Sequence, residues 1–105
     1  MKSAVFYEKG NIRIENIAVP DVRPDEVLVK VMACGICGTD VHIFDGDEGA
    51  AATPPGTVLG HEFSGIVVET GESTDGICVG DRVCIDPNLP CGKCYYCRKG
   101  LNHFC

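Results

Sequence analysis

VLGHEFSGIVVETG, residues 58–71, joins two candidate metal donors to a strand. Residues 63–70 are mostly apolar and β-branched, which predicts a β-strand, and Gly65 within it indicates a bulge or a close approach of another backbone. His61 and Glu62 precede the strand and offer a nitrogen and an oxygen donor side by side. Because adjacent residues of an extended strand face opposite sides, the pair can share one ion only if the backbone turns, which Gly60 allows.

Other short strands, separated by turn residues, lie on both sides of this stretch. Residues 3–7 and 12–17 flank Lys9-Gly10-Asn11 and predict a hairpin. Residues 26–33 and 80–86 predict two further strands. The pattern favours a mainly β fold, built as a small barrel or a sandwich. Residues 45–56 form a stretch of small and acidic residues, and we expect a surface loop there.

Composition restricts the class of protein. The chain has 105 residues, 45% of them hydrophobic, which is enough for one small core. A formal net charge of −6 argues against nucleic acid as a partner. No apolar run approaches the length of about 20 residues that spans a bilayer, and no signal peptide is visible, so we expect no membrane partner and a cytoplasmic setting. In a reducing compartment, clustered cysteines are more often metal ligands or catalytic groups than disulfides.

CGKCYYCRKGLNHFC, residues 91–105, contains half of the chain's eight cysteines. The four thiols are Cys91, Cys94, Cys97 and Cys105. Pairs separated by two residues can turn both sulfurs toward one ion, and four thiolates close a tetrahedral zinc site, which predicts a structural zinc lobe. Lys93, Arg98 and Lys99 can offset the negative charge of such a site. An iron–sulfur cluster is a minor alternative, because the spacing departs from the ferredoxin pattern.

CGICGTDVH, residues 34–42, holds a further candidate donor, Cys37. Residues 39–44 predict a short helix with Thr39 or Asp40 at its N-cap, and a thiolate just before a helix is electrostatically favoured. Cys37, His61 and Glu62 together would form an incomplete tetrahedron that leaves a position for water or substrate, as catalytic zinc sites do. CGIC also fits a dithiol redox motif, and a lone histidine is usually an ordinary surface or core residue.

The remaining cysteines have a simpler interpretation. Cys34, Cys78 and Cys84 each lie in or beside an apolar strand. Free cysteine commonly behaves as a small buried hydrophobe. We therefore expect these three side chains in the core rather than at a metal site.

The stretches CGICGTDVH, VLGHEFSGIVVETG, VGDRV and CGKCYYCRKGLNHFC occur in this order. Together they resemble the zinc-dependent medium-chain alcohol dehydrogenases, over nearly the whole chain. DPNLPCGKCYYCRKGLNHFC looks most like the polyol branch of sorbitol, xylitol and arabinitol dehydrogenases, and CGICGTDVHIF is also similar to the threonine and butanediol dehydrogenase branch. The resemblance implies part of the GroES-like β-barrel of the catalytic domain, NAD(P)-dependent oxidation of a small alcohol to a ketone, and a homo-oligomer.

The resemblance also implies roles for particular residues. Cys37, His61 and Glu62 match the ligands of a catalytic zinc, and the four cysteines of residues 91–105 match a structural zinc lobe. Thr39 and His42 match a proton relay, and Asp40 matches a carboxylate that orients the zinc-bound histidine. Thr39 and Asp40 could equally serve as helix caps and His42 as a solvated side chain, and these alternatives stay open.

Members of that family run well beyond this length, into a Rossmann domain that binds the dinucleotide. Such a site needs a G-x-G-x-x-G turn between a strand and a helix, and the sequence contains none. We therefore expect residues 1–105 to be the N-terminal part of the catalytic domain, with bound zinc, no NAD(P) and no turnover of its own. A non-enzymatic zinc-binding module is the alternative function.

Overall fold

Six strands and three short helical segments make up the fold of the computed structural model, which describes residues 1–47 and 52–105. The strands are β1 (Lys2–Glu8), β2 (Asn11–Asn16), β3 (Val27–Cys34), β4 (Thr57–Val58), β5 (Phe63–Thr70) and β6 (Arg82–Cys84). The helices are α1 (Gly38–Asp45) and α2 (Tyr95–Arg98), and a 3-10 turn follows at Asn102–Phe104. The expected acidic loop at 45–56 lies partly outside the described residues. No helix in the described ranges is long and apolar enough to cross a bilayer.

The first sheet has the order β2-β1-β4, and all of its strands are antiparallel. The predicted hairpin is confirmed: β1 and β2 pair from Lys2 opposite Asn16, and Gly10 takes the left-handed φ of 71° that the turn requires. β1 is the central strand and carries the buried side chains of Val5 and Phe6.

The second sheet has the order β3-β5-β6, so the strand predicted at 63–70 is its centre. Val67 on β5 is fully buried. The predicted close approach at Gly65 is confirmed, because a methyl group there would lie 2.3 Å from the carbonyl oxygen of Lys30 on β3. The β3–β5 register also shifts opposite Gly65, between Val31 and Ala33. This close pairing fixes the start of β5, and with it the two donors that precede the strand.

The predicted helix is confirmed as α1, but its cap is not the expected one. The N-cap residue is Cys37, with an extended backbone, and Asp40 lies within the first turn. The Cys37 backbone N–H donates to Asp40 Oδ2 at 2.9 Å, so Asp40 caps from inside the helix. At the other end, Gly46 closes the helix with φ 65°, and the Gly10 N–H donates to Phe44 O at 2.8 Å. The helix is thereby tied to the hairpin turn.

One expectation about packing needs correction. Cys34, Cys78 and Cys84 are exposed, not buried, because the core of the described residues is small and consists of Val5, Phe6, Ile43 and Val67. The mainly β fold agrees with the expected partial barrel, since the described strands form two separate three-stranded sheets that do not close. Between them lies a mainly apolar groove of about 940 Å³.

Candidate metal centres

The four cysteines of residues 91–105 converge in the structure. One ligand atom from each lies within 4.8 Å of every other, and the sulfurs of Cys91 and Cys97 are 4.0 Å apart. A tetrahedral zinc with Zn–S bonds of about 2.3 Å places its sulfurs about 3.8 Å apart. The sulfur positions therefore fit a zinc ion, and no disulfide joins any of the eight cysteines.

Backbone geometry brings these sulfurs together. Gly92 and Gly100 take left-handed φ values of 71° and 74°, which turn the chain before and after α2. α2 begins after Cys94, whose sulfur accepts the Cys97 N–H at 3.4 Å. The ring of Phe104, in the 3-10 turn, packs on Tyr96 with centroids 5.6 Å apart. Cys105 follows this turn and so returns to the other three thiols.

The pKa values of two thiols in the four-cysteine group are shifted in opposite directions. Backbone N–H groups, first that of Lys93 and then that of Cys94, lower the pKa of Cys91 to about 6. Desolvation, followed by hydrogen bonding to Cys94, raises the pKa of Cys97 to about 12. The Cys91 and Cys97 thiols cannot both ionise easily, because one thiolate disfavours a second one 4.0 Å away. A bound cation would relieve this repulsion.

A second donor group consists of Cys37, His61 and Glu62, whose ligand atoms also lie within 4.8 Å of one another. Cys37 comes from the start of α1, and the other two come from the segment just before β5. Gly60 turns the backbone with φ 99°, and the chain bends at Glu62, so the neighbouring side chains reach the same region. The backbone turn that His61 and Glu62 need in order to share one ion is therefore present.

Asp40 lies beside both Cys37 and His61. Its Oδ2 accepts from the backbone N–H of Cys37, and its Oδ1 lies 3.8 Å from His61 Nδ1. Oδ1 is buried and has no hydrogen-bond partner among residues 1–47 and 52–105. A buried carboxylate oxygen without a partner is costly, and the neighbouring His61 ring could supply a partner by donating an N–H from Nδ1.

The two residues of the predicted relay occupy different surroundings. Thr39 lies at the donor group, with Oγ1 3.7 Å from Cys37 Sγ. His42 is largely exposed, and its Nδ1 is 2.7 Å from Asp47 Oδ2. No hydrogen bond joins Thr39 to His42 within the described part of the chain. Sequence reasoning did not anticipate Asp47 as the partner of His42.

A cleft of about 560 Å³ opens beside His61 and Glu62. Its other lining residues are Ala33, Gly35, Phe63, Ser64, Cys84, Ile85 and Pro87. Cys84 was expected in the core, and its strand partner Ser64 gave no sign of a cleft in the sequence. Because β5 and β6 pair at this point, both residues line the cleft, and spacing along the chain does not reveal this pairing.

Comparison with known proteins supports the resemblance. A family model described as the alcohol dehydrogenase GroES-like domain matches residues 23–105. Sorbitol dehydrogenase of Bacillus subtilis is 43% identical over 106 residues, which cover 100% of this chain and 30% of that enzyme. L-threonine 3-dehydrogenase of Pyrococcus abyssi is 48% identical with the same coverage.

Solved structures agree with this result. A zinc-binding dehydrogenase from Sinorhizobium meliloti 1021, bound to NADP, matches with a TM-score of 0.90 and 46% identity over 99% of this chain and 30% of its own. An alcohol dehydrogenase from Thermus sp. ATN1 matches with a TM-score of 0.85 and 36% identity, over 100% of this chain and 30% of that one. The chain thus spans about 30% of the length of the relatives it matches. With its mainly β fold and both motifs in place, the chain belongs to the alcohol dehydrogenase GroES-like domain family.

Proposed function

We propose that this chain is the zinc-binding portion of the catalytic domain of an NAD(P)-dependent dehydrogenase that oxidises a secondary alcohol or polyol to a ketone. The observation that carries the proposal is the contrast between the two donor groups. One has four thiols, a complete tetrahedral set. The other has three mixed donors, two of which, His61 and Glu62, line a cleft, and this set leaves a coordination position open to an oxygen ligand.

The chemistry of the donors fits zinc at both places. Thiolate and imidazole suit this ion, and a Cys–His–carboxylate set is of the kind found in catalytic sites. Cys37, His61 and Glu62 would hold the catalytic ion, and Cys91, Cys94, Cys97 and Cys105 would hold the structural one. When bound, a catalytic zinc supplies Lewis-acid polarisation of a substrate oxygen and lowers the pKa of its proton.

The chain's own residues would position the catalytic ligands and handle the proton. An N–H at His61 Nδ1, directed at Asp40, leaves the lone pair on Nε2 free for the ion. The Thr39 hydroxyl, which contacts Cys37 Sγ, is placed to accept a proton from a substrate alcohol and pass it on. His42, bonded to Asp47 at the surface, would be a later proton acceptor that exchanges with solvent.

The relatives narrow the substrate class without choosing one compound. The matched enzymes are named for sorbitol and for L-threonine at carbon 3. The threonine hydroxyl and the inner hydroxyls of sorbitol are all secondary alcohols, so we assign that class. Hydride would pass to a nicotinamide held by a part that these 105 residues do not supply, since they contain no G-x-G-x-x-G turn.

The setting and the assembly are also proposals. A cytoplasmic location fits eight free cysteines, because a reducing compartment keeps thiols available for metal. A homo-oligomer is proposed from the resemblance alone.

Metal content tests this function. Plasma mass spectrometry on the purified chain is expected to find two zinc ions per chain, and Cys37→Ser is expected to lose one with the fold retained. One zinc in the unaltered chain, unchanged by Cys37→Ser, would support a non-enzymatic zinc module instead. The chain alone is expected to give no NAD(P)-dependent polyol oxidation, and measurable turnover would contradict its assignment as a portion of the enzyme.

A further inference from the structure

We propose that Gly35 is a positioning residue for Glu62, because its missing side chain leaves the space in which the Glu62 carboxylate lies. The inference rests on the proposed function, in which Glu62 is a ligand of the catalytic ion. Gly35 lies between β3 and α1, close in sequence to Cys37 but far from Glu62. At Gly35, the segment that leads to Cys37 therefore contacts the segment that carries His61 and Glu62.

The contact has two components. The Gly35 N–H donates to the Glu62 carbonyl oxygen at 2.9 Å, which fixes the two backbones relative to each other. A methyl group added at Gly35 would lie 3.0 Å from Glu62 Oε2, 3.5 Å from Glu62 Cβ and 3.6 Å from its carbonyl oxygen. Only the contact with Oε2 is shorter than an ordinary van der Waals distance. The restriction therefore acts on the carboxylate.

Backbone conformation does not explain this glycine. Gly35 is not among the glycines with positive φ, so an alanine could adopt the same backbone. Gly60, by contrast, takes φ 99° and needs glycine for its turn. The constraint on position 35 comes instead from Oε2 of Glu62, which is a proposed metal ligand.

An alanine at position 35 would displace the carboxylate without unfolding the chain. Oε2 is the far end of a flexible side chain, so it can yield by a few tenths of an ångström. Metal ligands, however, are held within about 0.2 Å of their ideal distances. We expect zinc affinity at this donor group to fall by about 10-fold to 100-fold, as for other residues that support metal ligands.

Gly35→Ala is best compared with Gly38→Ala in the same segment. Apart from its chain neighbours and the backbone of its own helix, no atom of the described residues lies within 4 Å of a methyl added at Gly38, and its φ is not positive, so its substitution adds the same group without a new contact. Zn²⁺ affinity is measured by competition with a chromophoric chelator, and the absorption spectrum of Co²⁺ reports the coordination geometry. The four-cysteine group shares no residue with this site and serves as an internal reference.

A double-mutant cycle with Glu62→Ala identifies the route of the effect. If Gly35 acts through the carboxylate, Gly35→Ala weakens Zn²⁺ binding in the unaltered chain and changes nothing further when Glu62 is alanine. Thermal unfolding of the metal-free chain is expected to be unchanged, which a general structural role would not allow. Equal affinities for Gly35→Ala and Gly38→Ala would overturn the inference while leaving two bound zinc ions, and the proposed function, intact. One zinc in the unaltered chain would overturn both.

Discussion

Replacing Asp40 by asparagine should raise the stability of the metal-free chain and weaken its zinc binding. Asparagine can keep the cap, because its side-chain oxygen can accept the Cys37 N–H that Asp40 Oδ2 now accepts at 2.9 Å. Its NH₂ group would then take the place of Oδ1, 3.8 Å from His61 Nδ1. The substitution removes the negative charge with little change in shape.

The expected stability change is a difference between two terms. Among the described residues Oδ1 is buried without a hydrogen-bond partner, whereas an NH₂ in its place could donate to the Nδ1 lone pair of His61, which removes a cost of about 1–3 kcal/mol. Loss of a negative charge in the first helical turn costs about 0.3–1 kcal/mol. The metal-free chain should therefore gain about 1 kcal/mol, which raises Tm by about 4–8 °C for a domain of this size.

The effect on zinc has the opposite sign. An NH₂ group beside Nδ1 either opposes its N–H or donates to its lone pair, which moves the ring proton to the nitrogen that should bind the ion. We expect a loss of about 10-fold to 100-fold in Zn²⁺ affinity at the Cys37–His61–Glu62 group. Thermal unfolding of the metal-free chain and chelator competition measure the two effects separately.

Asp45→Asn is the matched control, because Asp45 is exposed at the opposite end of α1. It removes the same charge from the same helix and should leave zinc affinity unchanged. A lower Tm for Asp40→Asn, combined with normal zinc affinity, would refute the reasoning. Asp40 would then be a helix cap alone.

Three further predictions concern the sheet, the cysteine lobe and the hairpin. Gly65→Ala should destabilise the chain by about 3 kcal/mol in urea unfolding, because the methyl group meets the Lys30 carbonyl oxygen at 2.3 Å and a backbone atom cannot yield cheaply; an unchanged midpoint would contradict this. Cys94→Ser should remove one zinc per chain by mass spectrometry and leave the other; loss of both would show that the sites are not independent. A hydrogen bond to Glu15 raises the pKa of Tyr7. The stability that this hydrogen bond contributes is therefore present below pH about 10 and is lost as the pH rises through the folded-state pKa of Tyr7. Glu15→Gln should shift the tyrosinate titration to lower pH, and an unchanged titration curve would exclude this pairing.

Local signals in the sequence predicted five of the six strands of the described residues and helix α1, but not β4 or α2. The hairpin depends on Gly10 between two alternating runs, and β5 on a run of apolar residues, so both follow from neighbours in sequence. The exposure of Cys34, Cys78 and Cys84 did not follow. Burial depends on what covers a strand, and in the described residues much of β3 faces the open groove, where Val31 is 51% exposed. A pattern of apolar residues predicts which face seeks cover, but not whether cover is present.

The two candidate sites differ in how far the sequence alone predicts them. The four cysteines of residues 91–105 are close in sequence, and their spacing alone predicts that they meet. The meeting of Cys37 with His61 and Glu62 depends on the pairing of β3 with β5, and the resemblance supplied it before the structure did. The Gly35–Glu62 contact had no sequence signal, because a glycine that makes room for a distant side chain looks like any other glycine in a turn.

Charge explains why the three-donor group, and not the cysteine lobe, is suited to chemistry. Four thiolates and a zinc ion sum to roughly −2, which resists any further anionic ligand and draws support from cations such as Lys93 and Arg98 in the same segment. Cys37 and Glu62 bring one negative charge each, so with neutral His61 the filled group has a net charge of about zero. A neutral site would tolerate an oxygen ligand that gains negative charge as its proton leaves, and we propose Thr39, whose Oγ1 lies 3.7 Å from Cys37 Sγ, as the acceptor of that proton. The number of thiols at each site thus sets both its charge and its capacity to react.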